Sequence, residues 1–286
     1  MSSAIDADHA IAFMGVEGAN ADLACRRNYP YMTTLALESF EDVFAAVAQG
    51  RAKYGMIPIE NSQAGRVAEI HNLLPRTALH IVAEHIEPIE HHLYGVAGAS
   101  VAAVTDVYSH HQALMQCRSY THEYGLTTHV HSNTATAARD VAQWADKSKA
   151  AICSALAGEL YQLTKLADGI QDADDNATLF VTIAREPADP DPADGMVLTS
   201  IFFTVRNIPA ALYKSLGGFA TNGVNMLKLE SYIQAGTHGS AQFFMTFEGH
   251  PRQRPVQLAI EELGFFTQKV NVLGVYPADK KRVSGA

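Results

Sequence analysis

The 286-residue sequence predicts an α/β protein in two parts: a larger unit of alternating strands and helices, then a smaller βαββαβ unit. Three observations carry this. Short apolar runs alternate with amphipathic stretches from Ala10 to Arg185, the pattern of a largely parallel sheet with crossover helices. The segment Glu186 to Gly195 (EPADPDPADG) is rich in Pro, Asp and Ala, a composition that suits neither helix nor sheet and reads as a linker. Beyond it the patterns follow the order of a ferredoxin-like unit. The chain is therefore divided into residues 10–185, a linker over 186–197, and residues 198–277.

In the first part, Ala10 to Gly15 is a strand, followed by a turn and a helix from Asn20 or Ala21. Phe40 to Gln49 is an amphipathic helix and Gly55 to Ile59 a strand. The stretch from Pro75 to Pro88 is punctuated by proline and marks a crossing between two lobes. His92 to Ala97 and Val104 to Ser109 are strands, and His111 to Tyr124 is helical. Thr127 to His131 is a strand feeding a helix from Thr134, and Ala150 to Cys153 a strand feeding a helix from Ser154. In the second part Leu198 to Val205 alternates as a strand. Pro209 opens a helix as an N1 proline, and Gly223 ends it. Val224 to Tyr232 and Ser240 to Phe247 are strands, Pro255 to Leu263 a helix, and Val270 to Val275 a strand.

Composition narrows the function. The formal net charge is 21 − 30 = −9, and with only a short Lys280-Lys281-Arg282 cluster there is no nucleic-acid footprint. No apolar run approaches the eighteen or so residues of a membrane span. The N-terminus (MSSAIDADHA) carries acidic residues and no apolar core, unlike a signal peptide. Cys25, Cys117 and Cys153 are far apart and form no CxxC pair, as expected of reduced thiols in a cytoplasmic protein. Cys117 and Cys153 read as small apolar fillers.

One segment stands apart. Tyr54 to Val67 (YGMIPIENSQAGRV) ends an apolar run abruptly in Glu60-Asn61-Ser62. Pro58 cannot donate to a ladder and is out of place in a central strand. Polar side chains at a strand end are where open α/β sheets present groups to ligands. Asn61-Ser62, Ser109-His110, Ser132-Asn133-Thr134 and Ser154 each put short polar residues where a strand gives way to a helix. Free N–H groups and a positive dipole end suit a carboxylate or phosphate there. Read singly, each is a helix cap.

Together the segments resemble those of prephenate dehydratases, in the bacterial form with a C-terminal ACT regulatory domain. They stand in the family's order: GVEGAN from Gly15, IPIENSQAG from Ile57, SHHQALMQC from Ser109, SNTATAA from Ser132, AAICSALAGELYQL from Ala150, DNATLF from Asp175, RNIPAALYKSLGGFA from Arg206 and LKLES from Leu227. The resemblance implies a catalytic domain of two lobes, like a type II periplasmic binding protein, with the site in the cleft between them. It implies conversion of prephenate to phenylpyruvate, water and CO2 with no metal or organic cofactor. Thr178 is implied as donor to the leaving hydroxyl, with Glu60, Asn61, Ser62, Gln112, Thr134 and Phe180 about the substrate. L-phenylalanine is the implied effector, bound by Asn207, Pro209, Ala210, Ala211, Leu212, Glu230 and Ser231 at the interface of a homodimer or homotetramer.

Two departures bear on the site. The family's Thr-Arg-Phe is Thr178-Leu179-Phe180, and Ala21 stands where the family has Ser or Thr. If the missing guanidinium held a substrate carboxylate, its loss costs on the order of 10²- to 10³-fold in rate. Arg66 and Arg139 are the candidates to stand in for it. In the regulatory half the family's Gly-Ala-Leu is Ala210-Ala211-Leu212, and its Glu-Ser-Arg-Pro is Glu230-Ser231-Tyr232-Ile233. The alternatives are an arogenate dehydratase, and a non-catalytic amino-acid sensor that explains Leu179 and Ala21 together. The adjacent pairs His91-His92 and His110-His111 do not share a face and make poor metal sites. Trp144 reads as a packing residue.

Overall fold

The computed structural model describes residues 6–232 and 241–284. The first residues of the N-terminus (1–5), the departure at Ile233 and the expected strand start at Ser240 lie outside the described residues.

The chain opens with β1 (Ala10–Met14), α1 (Asn20–Asn28), β2 (Thr33–Leu37), α2 (Phe40–Ala48) and β3 (Tyr54–Asn61). A two-residue strand β4 (Gly65–Arg66) folds back on β3 and leads into α3 (Ala68–Leu73). The proline-punctuated stretch is β5 (His80–Pro88), a strand the alternation did not reveal. The second lobe follows: β6 (His92–Gly95), β7 (Asp106–His110), α4 (His111–Gln116), α5 (Arg118–Glu123), β8 (Thr127–His131), α6 (Thr134–Trp144), β9 (Lys149–Cys153), α7 (Ala155–Leu160) and β10 (Thr164–Ala167). The helix expected over 111–124 is thus broken at Cys117. β11 (Ala177–Ala184) returns to the first lobe. The final unit is β12 (Val197–Val205), α8 (Ala211–Thr221), β13 (Met226–Tyr232), β14 (Gln242–Glu248), α9 (Arg254–Phe266) and β15 (Thr267–Pro277), with a short α10 (Lys280–Ser284).

The strands make two sheets. The smaller, in the second lobe, has the order β10-β6-β9-β7-β8, with β7 parallel to β8 and β9 and β6 antiparallel to both its neighbours, β9 and β10. The larger runs β13-β14-β12-β15-β5-β11-β3-β1-β2, so the last unit extends the first lobe's sheet. Its own order, β13-β14-β12-β15, is that of a ferredoxin-like sheet. The two sheets are therefore mixed, and less purely parallel than the alternation suggested.

Two details explain the local sequence. Pro58 sits within β3, but β3 pairs with β1 only over Tyr54–Met56, so its missing N–H falls beyond that ladder. On the other side the register with β11 slips between Leu179 and Phe180. Gly274 makes the joint of the long sheet: a Cβ there would lie 2.1 Å from the Ile81 carbonyl oxygen. Only glycine lets β15 approach β5 this closely.

The largest core cluster crosses that joint. Val43, Phe44, Ile57, Ile59, Ile81 and Val181 of the first lobe pack with Leu198, Phe202, Phe244, Leu273 and Tyr276 of the last unit. A second core lies under α8 and α9, including Phe203, Phe219, Phe247 and Leu263. All three cysteines are buried, and burial pushes the Cys117 thiol up to about 12, which fits inert fillers. Trp144 packs on Tyr108 at 4.7 Å. The linker is tied down at Asp189, whose carboxylate takes His250 Nε2 at 2.8 Å and Arg252 at 2.9 Å.

Pro209 is not the first helical residue. α8 starts at Ala211, and Ala210 caps it in the left-handed region at φ 58°. That conformation is unfavourable for a residue with a Cβ and accounts for a glycine preference there.

Candidate active site

A cavity of about 650 Å³ lies between the two lobes. Three helix starts contribute to its lining: Asn20 and Ala21 of α1, Gln112 and Ala113 of α4, and Ser132, Asn133 and Thr134 at α6. Asn133 caps α6 by accepting from Thr136 N at 2.7 Å. His110 caps α4 through its ring nitrogen, not through Ser109, whose hydroxyl is buried and donates to Ile152 O. Ser154 caps α7, and its hydroxyl donates to Gly18 O at 2.8 Å, a bond between the lobes. Each helix end favours an anion by about 0.3–1 kcal/mol.

Of the residues implicated by sequence, Asn61, Gln112, Thr134, Thr178 and Phe180 line this cavity. Glu60 and Ser62 do not. Successive strand side chains point to opposite faces, so Glu60 turns away from Asn61 and pairs with Lys228 of β13. The Ser62 hydroxyl is spent on backbone, donating to Asp175 O and accepting from Ala177 N, both at 3.0 Å. Nor do Asn61-Ser62 cap a helix. They lead into the β3–β4 hairpin, where Asn61 Oδ1 accepts from Gln63 N and Ala64 N.

The same alternation corrects the reading of Leu179. Thr178 and Phe180 face the cavity, while Leu179 and Val181 face the opposite side. There, with Glu60, Glu84, Lys228, Glu230 and Arg282, they line a separate pocket of about 330 Å³ against the last unit. A guanidinium at position 179 would not point at a ligand in the cleft. Neither proposed substitute is free to do so. Arg66 lines the cavity, but its guanidinium donates to Glu230 at 3.3 Å and Ser231 O at 3.2 Å. Arg139 pairs with Asp140 at 3.0 Å. Ala21 does line the cavity, so that departure stands within the site.

A connected set of polar side chains runs from the cavity-lining Asn61 and Thr178 to Gln116 and His91. Backbone donors hold Asn61 Oδ1, which leaves Asn61 Nδ2 to donate to Asn176 Oδ1 at 2.9 Å and Thr178 Oγ1 at 3.0 Å. Asn176 Nδ2 donates in turn to Gln116 Oε1 at 3.2 Å, and the same oxygen receives His91 Nε2 at 2.8 Å. With Thr178 Oγ1 accepting from Asn61, its own hydrogen is available to a ligand. Gln116, Asn176 and His91 were not singled out in sequence. Gln116 and Asn176 fall inside the quoted segments SHHQALMQC and DNATLF, and His91 was set aside as half of an unsuited metal pair.

The residues expected to hold an effector lie on two elements of the last unit. Asn207, Pro209, Ala210, Ala211 and Leu212 surround the start of α8, and Glu230 and Ser231 lie on the edge strand β13. Burial pushes Glu230 upward, but Lys228, Tyr232 and Arg66 outweigh it and hold the carboxyl below its ordinary range.

Comparison with known proteins gives a consistent result. The family model described as prephenate dehydratase matches residues 11–188. The chain is 44% identical over 278 residues to a bifunctional N-acyl-homoserine lactone acylase/prephenate dehydratase of Komagataeibacter europaeus, covering 97% of this chain and 99% of that protein. It is 35% identical to arogenate dehydratase/prephenate dehydratase 1 of Arabidopsis thaliana, over 95% of this chain and 73% of that protein. Among solved structures, a prephenate dehydratase of Arthrobacter aurescens in complex with L-Phe superposes with a TM-score of 0.85 at 26% identity. The match covers 94% of this chain and 90% of that one.

Proposed function

The chain belongs to the prephenate dehydratase family, and from that premise we propose that it converts prephenate to phenylpyruvate, CO2 and water in phenylalanine biosynthesis. The observation that carries this reading is Thr178, whose hydroxyl accepts from Asn61 and keeps its hydrogen to give, facing a cavity ringed by helix starts. In the reaction the electrons of the C–CO2 bond enter the ring, and the hydroxyl departs as water with one added proton. Thr178 delivers that proton, an assistance worth about 10²- to 10⁴-fold. The starts of α1 and α6 seat the two carboxylates of prephenate. Residues 10–185 form the catalytic domain, and residues 198–277, after the 186–197 linker, the ACT domain. L-phenylalanine bound there in a homodimer or homotetramer lowers activity through a coupling typically of 1–3 kcal/mol. Arg66 joins the β3–β4 hairpin to Glu230 and Ser231 and supports that route. The enzyme works in the cytoplasm.

The test is phenylpyruvate formation from prephenate by the purified protein, with and without L-phenylalanine. Folded protein that binds L-phenylalanine and does not turn prephenate over would instead identify the non-catalytic sensor. Two further substrates belong in the same assay because of named relatives. Arogenate is included for the 35% identical plant protein, and an N-acyl-homoserine lactone for the 44% identical one. The larger kcat/KM identifies the preferred substrate.

A further inference from the structure

His91 precedes β6, lies in the cavity wall and is only 3% exposed. Its Nδ1 is buried with no hydrogen-bond partner among the described residues. Buried polar atoms are seldom left in that state, and an exception in a cavity wall calls for a ligand. The hydrogen-bond network fixes which kind. The backbone N–H groups of Gln63 and Ala64 set the Asn61 amide, and Asn61 sets Asn176. Asn176 makes Gln116 Oε1 an acceptor, and this oxygen then requires a hydrogen on His91 Nε2. In the neutral ring Nδ1 is therefore a lone-pair acceptor. One network thus ends in a donor on Thr178 and in an acceptor on His91, and both residues line the same cavity. An alcohol is the group that needs both at once.

We propose that His91 is a substrate-binding residue of this cleft, whose Nδ1 accepts the hydrogen of the substrate's alcohol while Thr178 donates to the same oxygen. The proposal rests on the dehydratase reading and adds a residue to it. Carboxylates and ketones carry no hydrogen for Nδ1, so the pair selects a hydroxylated substrate over its dehydrated product. Gln116 and His92 act on the ring, Glu90 and His92 flank it in the chain, and His110 and Arg66 line the same cavity. Asp172 closes over Gln116 but places its carboxylate on Ser119 N. Burial is the main influence and holds His91 below the ordinary histidine range, so Nδ1 is free to accept at neutral pH.

The experiment uses the full chain and the variant His91→Gln, whose amide nitrogen retains the bond to Gln116 and which exchanges the titrating Nδ1 for an amide that does not titrate. With an unchanged melting temperature, kcat/KM for prephenate is expected to fall about tenfold, the worth of one such bond. In the wild type kcat/KM declines on acidification as Nδ1 takes a proton, and that limb is absent in His91→Gln. A variant that keeps both kcat/KM and the acidic limb overturns the proposal. If the wild type does not turn over prephenate, the dehydratase reading fails by itself. The ¹⁵N resonance of His91 Nδ1 in the wild type then decides, as it does if the variant does not fold. A shift with prephenate but not with phenylpyruvate, which lacks the ring alcohol, supports the assignment. No shift with prephenate overturns it.

Discussion

The two faces of the β3–β11 strand pair have opposite characters, although their residues alternate along the same few positions. The cleft face presents Asn61, Thr178 and Phe180 to an open cavity; the Asn61 amide is spent on its neighbours and the Thr178 hydrogen is left for a ligand. The other face presents Glu60, Leu179 and Val181 to the last unit, where the charges answer one another. Glu60 and Glu230 share Lys228, and Glu84, with a side chain 1% exposed, takes both Arg282 Nε at 2.7 Å and Nη2 at 3.0 Å. Cavity lining and attachment thus occupy one pair of strands, one residue apart. A substitution in Thr-Leu-Phe therefore has to be assigned to a face before it is assigned a role.

Substitutions on the two faces should differ in kind as well as size. Thr178→Ala, on the cleft face, is expected to lower kcat for prephenate by about 10²- to 10⁴-fold with little loss of melting temperature, measured by steady-state turnover and calorimetry. Arg282→Met, on the attachment face, takes the guanidinium from the buried Glu84 carboxylate, which keeps the Asp279 N–H. Urea unfolding should show a loss of about 3 kcal/mol, at the low end for a broken buried pair because the guanidinium is a quarter exposed. Gly274→Ala forces β15 away from β5, with an expected cost of about 1–3 kcal/mol in the same measurement. The smallest effect is expected from Leu179→Arg, which should change kcat/KM by less than roughly threefold. A gain of a hundredfold there would return position 179 to the cleft and dissolve the distinction between the faces.

Much of the fold was legible because its periodicities are local. The strands at Ala10, Thr127 and Ala150 and the helices at Asn20, Phe40 and Thr134 fall where the patterns placed them. β5 was hidden because its side chains (HIVAEHIEP) mix apolar and charged residues, and its partners come from distant segments. In the cleft, the segments were readable but their facing was not. Glu60-Asn61-Ser62 looks like one cluster in sequence, and the strand's two-residue period separates its members. His91 carried no signal, because its significance lies in an unpaired nitrogen at the end of a network spanning Gln116, Asn176 and Asn61.

The bond between Asn61 and Thr178 joins residues 117 positions apart, with the entire second lobe between them. Closing a loop of that length carries an entropic cost that grows as about (3/2)RT ln n. The contact cannot form early from local preference and depends on the first lobe's sheet accepting β11 after the chain has left and returned. The cleft wall is thus a non-local construction: a chain with both lobes collapsed but β11 unpaired would hold most of its secondary structure and lack the Thr178 hydroxyl beside Asn61.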